Sequence, residues 1–303
     1  MNDSPPIRLG TRGSDLALWQ AETVRDLLSR EAPMREVEII TVKTLGDRVQ
    51  DRKIEEIGRT AVFTAELDRA LLDDQVDIGV HSLKDVETTM PDGVALACVI
   101  PRGPVEDVVV GAASLAELPA GARVGTGSIR RIAQVSRAHP GLSLQPIRGN
   151  VPTRLEKLDR GDYDALLMAR AGLVRLGLGH RIGGILPADR FYHAVGQGAV
   201  AVTCREGDAA MLRILGGLNH AATWHAVRAE RACLKRIGGG CNVPLGVFLG
   251  LEGETLRFRA GVYSPDGKQA LEVDERFSAT DDPVACGERV AEILLERGAA
   301  DLF

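Results

Sequence analysis

Ile7-Arg8-Leu9-Gly10-Thr11-Arg12-Gly13-Ser14 reads as a short strand, a glycine-flanked turn and a serine placed to cap a helix. The helix runs from Leu16 to about Arg30, with Leu16, Trp19, Gln20, Thr23, Leu27 and Leu28 on one stripe, and Pro33 ends it. Strand, turn and helix meet where free backbone N–H groups and the helix dipole favour an anion, and Arg12 sits on that turn. The device is repeated further on. Arg123-Val124 leads into Gly125-Thr126-Gly127-Ser128, followed by a helix from about Ile129 to Ala138. Two such helix starts fit one acidic ligand held in the cleft between two lobes, although turns of this kind also recur by chance.

Working outward, Val37 to Lys43 is a strand, and residues 44–61 form a long polar stretch expected to be a mobile loop or lid. A helix at 64–74 precedes the strand Asp77-Ile78-Gly79-Val80, which runs into His81-Ser82-Leu83-Lys84-Asp85. In parallel α/β sheets the carboxyl ends of strands handle ligands. Pro101-Arg102-Gly103-Pro104 separates the strands 94–100 and 107–111 and reads as a crossing into a second lobe. Ala194-Val195-Gly196-Gln197-Gly198-Ala199 reads as the return, and Val200 to Cys204 as a strand added to the first sheet. The expected fold class is therefore α/β: two lobes with doubly wound sheets, joined by a two-strand hinge. Helices at 209–218 and 221–237 lead to a tail of strands at 247–251, 255–263 and 271–277 and a helix at 283–297, a small C-terminal α+β domain. The expected division is 1–100 with 199–218, then 101–198, then 219–303.

Composition bounds the function. The chain has 303 residues, 45% hydrophobic and 26% charged, as expected of a soluble protein of two or three domains. A net charge of -5 argues against nucleic acid as a partner. No apolar run is long enough to span a bilayer, and Met1 to Pro6 lacks the pattern of a signal peptide, so a cytoplasmic location without a membrane partner is expected. The cysteines (Cys98, Cys204, Cys233, Cys241 and Cys286) are widely spaced, which speaks against a disulfide framework and against a metal site.

Among the basic residues only Lys43, Lys53, Lys84, Lys157, Lys235 and Lys268 are lysines. The arginines gather at strand ends: Arg130 and Arg131 in the first turn of a helix, Arg148 with Gly149, then Arg154, Arg170 and Arg175. Cations are disfavoured at a helix start, so the pair there calls for an anionic partner. A carboxylate or phosphate site is expected. Gly238-Gly239-Gly240-Cys241-Asn242-Val243-Pro244 would then hold one thiol on a sharp turn after a helix. Such a cysteine either carries a covalent group or is simply a small buried hydrophobe.

Six of these stretches together resemble the porphobilinogen deaminase family, also called hydroxymethylbilane synthase. They are Thr11-Arg12-Gly13-Ser14 with Leu16-Ala17-Leu18-Trp19-Gln20, His81-Ser82-Leu83-Lys84-Asp85, and Gly125-Thr126-Gly127-Ser128-Ile129-Arg130-Arg131. The others are Arg148-Gly149-Asn150-Val151, Ala194 to Ala199, and Gly239-Gly240-Cys241-Asn242-Val243-Pro244. The resemblance covers nearly the whole chain, in order. It implies two lobes like periplasmic solute-binding proteins, a third domain carrying the cofactor, and a monomer. It also implies a transferase of haem and other tetrapyrrole biosynthesis that joins four porphobilinogen molecules head to tail, loses ammonia and releases hydroxymethylbilane. The implied cofactor is a dipyrromethane held through Cys241.

By the same resemblance, Arg12, Ser14, Arg130, Arg131, Arg148, Gly149, Arg154 and Arg175 are expected at the carboxylates of cofactor and substrate, which arginine's planar fork suits. Ser82, Thr126, Ser128 and Gln197 are expected as supporting donors, Lys84 as a point charge and Phe63 as a stacking surface. Asp85 is the expected catalytic group, assisting proton transfer and stabilising the cation left by ammonia. Without those motifs Asp85 reads as a strand-end cap or a partner of Lys84. Thr60 stands where the family often has lysine, Gly127 where a second serine is frequent, and Asp15 where proline is common. Two rival readings remain: a two-lobed receptor for an acidic small molecule without turnover, and a phosphate-ester binder using both helix starts.

Overall fold

The computed structural model describes residues 5–33, 35–43, 64–239 and 243–303. Thr60, Phe63, Cys241 and the segment 44–61 lie outside the described residues.

Ser14 caps the first helix as its side chain predicts, accepting from the Ala17 N–H. In chain order come β1 (Ile7–Thr11), α1 (Asp15–Glu31), β2 (Val37–Thr41), α2 (Ala65–Leu72), β3 (Ile78–Ser82) and β4 (Val94–Val99). Next are β5 (Asp107–Val110), β6 (Arg123–Gly125), α3 (Ile129–Ala138), β7 (Ser143–Gln145), α4 (Val151–Asp159), β8 (Ala165–Ala169), α5 (Arg170–Arg175) and β9 (Ile182–Leu186). The chain continues with β10 (Val200–Arg205), α6 (Ala209–Leu218), α7 (Ala221–Arg236), β11 (Leu245–Glu252), β12 (Thr255–Tyr263), β13 (Ala270–Ser278) and α8 (Pro283–Glu296).

The chain divides into two compact units, Met1–Gly103 with Ala199–Trp224, and Pro104–Gly198 with His225–Phe303. The first holds a five-stranded sheet in the order β2-β1-β3-β10-β4, in which β10 runs antiparallel to both neighbours. The second holds a sheet in the order β7-β6-β8-β5-β9, with β5 antiparallel to both neighbours. Both sheets therefore have one winding, and in each the antiparallel strand is the one reached by a crossing of the chain. The expected doubly wound α/β fold is what these sheets show. On the first, α1 and α6 bury Val24, Leu28, Met211 and Leu215 against one face, while α2 packs Leu67 and Leu71 on the other. On the second, β5 sends Val108 and Val110 to the α4 and α5 side and Val109 to the α3 side, the alternation a strand imposes.

The tail is an antiparallel meander, β11-β12-β13, covered by α7 and α8, with Phe258, Val262, Cys233 and Leu294 at its centre. Helix α7 stops at Arg236 because Gly238 takes a positive φ of 87°, and the Gly239 N–H closes back on the Leu234 carbonyl. The next described strand begins at Leu245, so the chain between Gly239 and Val243 joins α7 to β11.

Candidate active site

In the first unit the expected residues fall at the carboxyl ends of β1 and β3, which are parallel neighbours. Arg12 and Ser14 follow β1. Ser82 ends β3 and is held by Gln20 of α1, whose side-chain nitrogen donates to the hydroxyl at 2.9 Å. Gln20 is itself buried, so α1 and the end of β3 are fixed to each other. Leu83-Lys84-Asp85 leaves the strand as one 3-10 turn, with Lys84 exposed and Asp85 partly buried. His81 is buried under this turn with Nε2 at 3.1 Å from the Thr203 hydroxyl. Burial, with the Arg12 charge adding to it, lowers the imidazole to about 4. His81 is thus neutral at pH 7.

In the second unit, α3, α4 and α5 begin at the carboxyl ends of the parallel strands β6, β7 and β8. The β6–α3 turn carries Thr126, whose hydroxyl accepts from the Ser128 N–H, and Ser128, whose hydroxyl accepts from the Arg131 N–H. The β7–α4 turn needs Gly149, at φ 112°, where a side chain would also strike Thr153. Arg154 Nε donates to the Gly149 carbonyl at 2.8 Å and Lys157 to the Arg148 carbonyl at 3.1 Å, so cations of α4 close that turn. Arg175 ends α5 and donates to the Gly198 carbonyl at 2.7 Å, and burial lowers its guanidinium to about 10.

Arg130 and Arg131 do have an anionic partner of the kind their place at a helix start demands, and it lies inside the fold. Asp107, fully buried at the start of β5, lies 2.7 Å from Arg130 Nη2 and 2.7 Å from Arg131 Nη2. Gln197 donates to the same carboxylate at 2.9 Å. Burial alone would raise the Asp107 carboxyl, but the two guanidiniums and these hydrogen bonds hold it far below the usual carboxylate range. Arg130 also donates to the Tyr192 carbonyl at 2.5 Å and lies over the Phe191 ring. The structure thus brings Arg130, Arg131 and Gln197 together around a residue that sequence reasoning passed over.

Two other residues were missed. Glu230 of α7 is fully buried and accepts from the Gly196 N–H at 2.7 Å. Arg231, next to it, has its guanidinium lowered to about 10 by burial. The one signal available for Asp107 was an acid leading a run of three valines, a place where a carboxylate survives only with a partner. Arg231 lies on a helix, 221–237, from which the sequence singled out no side chain. Cys98, Cys204, Cys233 and Cys286 are buried free thiols. Burial pushes Cys98 up to about 12 and Cys204 up to about 11, and raises Cys233 and Cys286 as well. Among the described residues no group of His, Cys, Asp and Glu is placed to hold a metal ion, and no helix is long and apolar enough to cross a membrane.

These features define a class: an α/β protein of two like-wound sheets, with guanidinium and hydroxyl donors at the strand ends suited to a ligand rich in carboxylates. Comparison with known proteins narrows it. Residues 7–213 match the family described as porphobilinogen deaminase, dipyromethane cofactor binding domain, and residues 224–296 match the porphobilinogen deaminase C-terminal domain. Porphobilinogen deaminase of Pelobacter propionicus is 42% identical over 97% of this chain and 96% of its own. That of a Synechococcus strain is 44% identical over 98% and 95%, and that of Bordetella parapertussis 45% identical over 97% and 94%. An extracytoplasmic solute receptor of Bordetella pertussis that binds pyroglutamic acid aligns with a TM-score of 0.44 at 14% identity, covering 76% of this chain and 82% of that one. The chain belongs to the porphobilinogen deaminase family. With membership comes the family's activity, hydroxymethylbilane synthesis on a dipyrromethane cofactor, which makes it a transferase of tetrapyrrole biosynthesis.

The donor set fits that cofactor, whose rings bear acetate and propionate groups. Thr126, Ser128 and the arginines offer hydroxyl and guanidinium donors, and Gly127 keeps the β6–α3 turn free of a side chain that would press on the Ile147 carbonyl.

Proposed function

We propose that this chain holds its cofactor through Cys241 and grips the carboxylates of cofactor and substrate with Arg12, Arg130, Arg131, Arg148, Arg154 and Arg175. Ser14, Ser82, Thr126, Ser128, Gly149 and Gln197 complete the donor set, with Lys84 as a point charge and Phe63 as a stacking surface. The observation that carries this reading is the placement of five of these arginines on, or just before, the three helices that start at the carboxyl ends of β6, β7 and β8. Arg130, Arg131, Arg148 and Arg154 sit at helix starts beside strand ends, where parallel α/β sheets meet their ligands, while Arg175 closes α5. Guanidinium groups pair with carboxylates through parallel N–H bonds. Cys98 and Cys204, held protonated by burial, do not compete for the attachment.

When bound, the cofactor supplies a nucleophilic pyrrole carbon as primer. Asp85 follows the end of β3 directly, beyond the Ser82 fixed by Gln20. Its carboxylate accepts from the pyrrole N–H of porphobilinogen, assists the proton transfer that lets the amine leave as ammonia, and stabilises the cation left behind. The enzyme acts as a cytoplasmic monomer on this soluble substrate, without nucleic-acid or membrane partners. Its domains are 1–100 with 199–218, 101–198, and 219–303.

The test is the mass of the denatured protein. Wild type carries the mass of a dipyrromethane, C241S does not, and wild type incubated with porphobilinogen gives porphyrin after acid and oxidant. A wild-type chain weighing only its amino acids, and inert to porphobilinogen after time to assemble its primer, ends this reading.

A further inference from the structure

Asp107 opens β5, a strand whose following valines are fully buried. A carboxylate at that depth is strongly disfavoured unless its charge is met on every side. Here it is met by three side chains from two segments. Arg131 donates to Oδ1 from Nε at 3.0 Å and from Nη2 at 2.7 Å, Gln197 donates to Oδ1 at 2.9 Å, and Arg130 Nη2 lies 2.7 Å from Oδ2. Arg130 and Arg131 are successive residues at a helix start, where the dipole and their mutual repulsion oppose both charges. One carboxylate between two guanidiniums removes that conflict and leaves the cluster with one net positive charge.

The hydrogen bonds leave capacity over. Arg131 uses Nε and Nη2 on Asp107 and Nη1 on the Leu167 carbonyl, so its fork retains two N–H groups. Gln197 also donates to the Val105 carbonyl at 2.6 Å, and the neighbouring Gly196 N–H is held by Glu230 of α7. The outgoing strand, the start of α3 and the segment returning from β9 are therefore fastened at one buried point.

We propose that Asp107 is a positioning residue: it aligns Arg130 and Arg131 as one carboxylate-binding unit and, through Gln197, locks that unit to the Ala194–Gly198 segment. The proposal rests on the reading of Arg130 and Arg131 as carboxylate ligands, and the two can fail separately.

The test is D107N, which keeps shape and removes charge, made in the full-length protein. Its KM for porphobilinogen, corrected for the loaded fraction, is expected to rise roughly ten- to hundredfold, the scale of one lost hydrogen bond to a charged group. The fraction of chains carrying the cofactor mass is expected to fall as well. V109A, two residues along the same strand and fully buried, is the comparator: it lowers the melting temperature but leaves loading and KM within about twofold of wild type. D107N with wild-type loading and KM overturns the proposal, as does a V109A that shifts both equally. R131L with wild-type loading and KM instead overturns the ligand reading. Should D107N fail to accumulate, Asp107→Glu, which keeps the charge one methylene out, is read in the same way: raised KM supports the proposal and wild-type KM overturns it.

Discussion

Asp77 accepts from Arg8 three times, from its backbone N–H at 2.8 Å, from Nε at 3.1 Å and from Nη2 at 2.8 Å. Arg8 lies on β1 and Asp77 immediately precedes β3, so one carboxylate staples the two parallel strands at their amino ends. The second sheet repeats the staple. Asp164, just before β8, accepts from the backbone N–H, Nε and Nη2 of Arg123 on β6. The likeness of the two units thus extends from their glycine-threonine turns to the opposite ends of the same strands.

The two staples differ in surroundings, and that sets the first prediction. Asp77 is also bound by Arg205 Nη2 of β10 at 3.1 Å, while Asp164 is exposed. Burial alone would raise the Asp77 carboxyl, but the hydrogen bonds from Arg8 and Arg205 hold it down at about 2. Its folded value lies below its unfolded value, so its stabilisation is present above the ordinary carboxylate range and is lost as pH falls through about 2. In urea unfolding at pH 7, D77A is expected to cost about 2 kcal/mol and D164A distinctly less. Since the staple lies at the strand ends away from Ser82 and Asp85, D77A is expected to keep the wild-type KM. Equal losses in the two variants would contradict the role given to burial.

His81 gives a slope in pH. Its folded value, lowered to about 4 by burial and by Arg12, lies below the ordinary imidazole value. Between the two, the unfolded chain binds a proton that the folded chain refuses, so stability falls as pH drops through that window and is at its full value above it. The difference amounts to about 3 kcal/mol at most. Urea midpoints between pH 7.5 and 4.5 should therefore fall less steeply for H81Q than for wild type. Parallel curves would show that His81 is not the source.

Local chemistry made much of this architecture readable. The bounds of α3 and α6 were predicted as observed, and in the structure Ser128 and Asp208 cap them with side chains that accept from the third helical N–H. Strand β12 was equally plain, alternating between two hairpin turns. Arg12, Arg130, Arg131 and Arg148 could be named because each lies in a motif beside a turn. Their internal partner could not, since Asp107 meets Arg131 and Gln197 only when β5, α3 and the 194–198 segment converge. Glu230 was hidden for the same reason: its partner is a backbone N–H far away in sequence.

Asp85 carries the clearest test of chemistry as distinct from fold. It lies on a short turn and is only partly buried, so asparagine is expected to leave the melting temperature nearly unchanged. If the carboxylate assists proton transfer and stabilises the developing cation, D85N loses roughly a hundred- to ten-thousandfold in kcat, the range of general acid–base catalysis. KM should change much less, because the carboxylate grips belong to the arginines. A D85N enzyme turning over within tenfold of wild type would return Asp85 to the status of a strand-end cap.

Strand β9, Ile182-Gly183-Gly184-Ile185-Leu186, is an element for which the sequence offered no reading, and two of its five residues are glycine. The structure gives them a reason. A Cβ on Gly183 would fall on the Ala112 carbonyl oxygen and one on Gly184 on the Ala113 carbonyl oxygen, far inside van der Waals contact. These obstacles are backbone, so they cannot swing aside as a side chain would. The chain after β5 therefore lies directly against β9, and only glycine lets it do so. G184A is expected to lower stability by about 1–3 kcal/mol, the usual cost of forcing volume into a packed site. G179A, a few residues earlier and with open space around its added methyl, is expected to be neutral or slightly stabilising through the unfolded chain. Thermal melts of the two variants decide the matter: the close approach of 112–113 to β9 predicts a clear separation, and coincident melts would refute it.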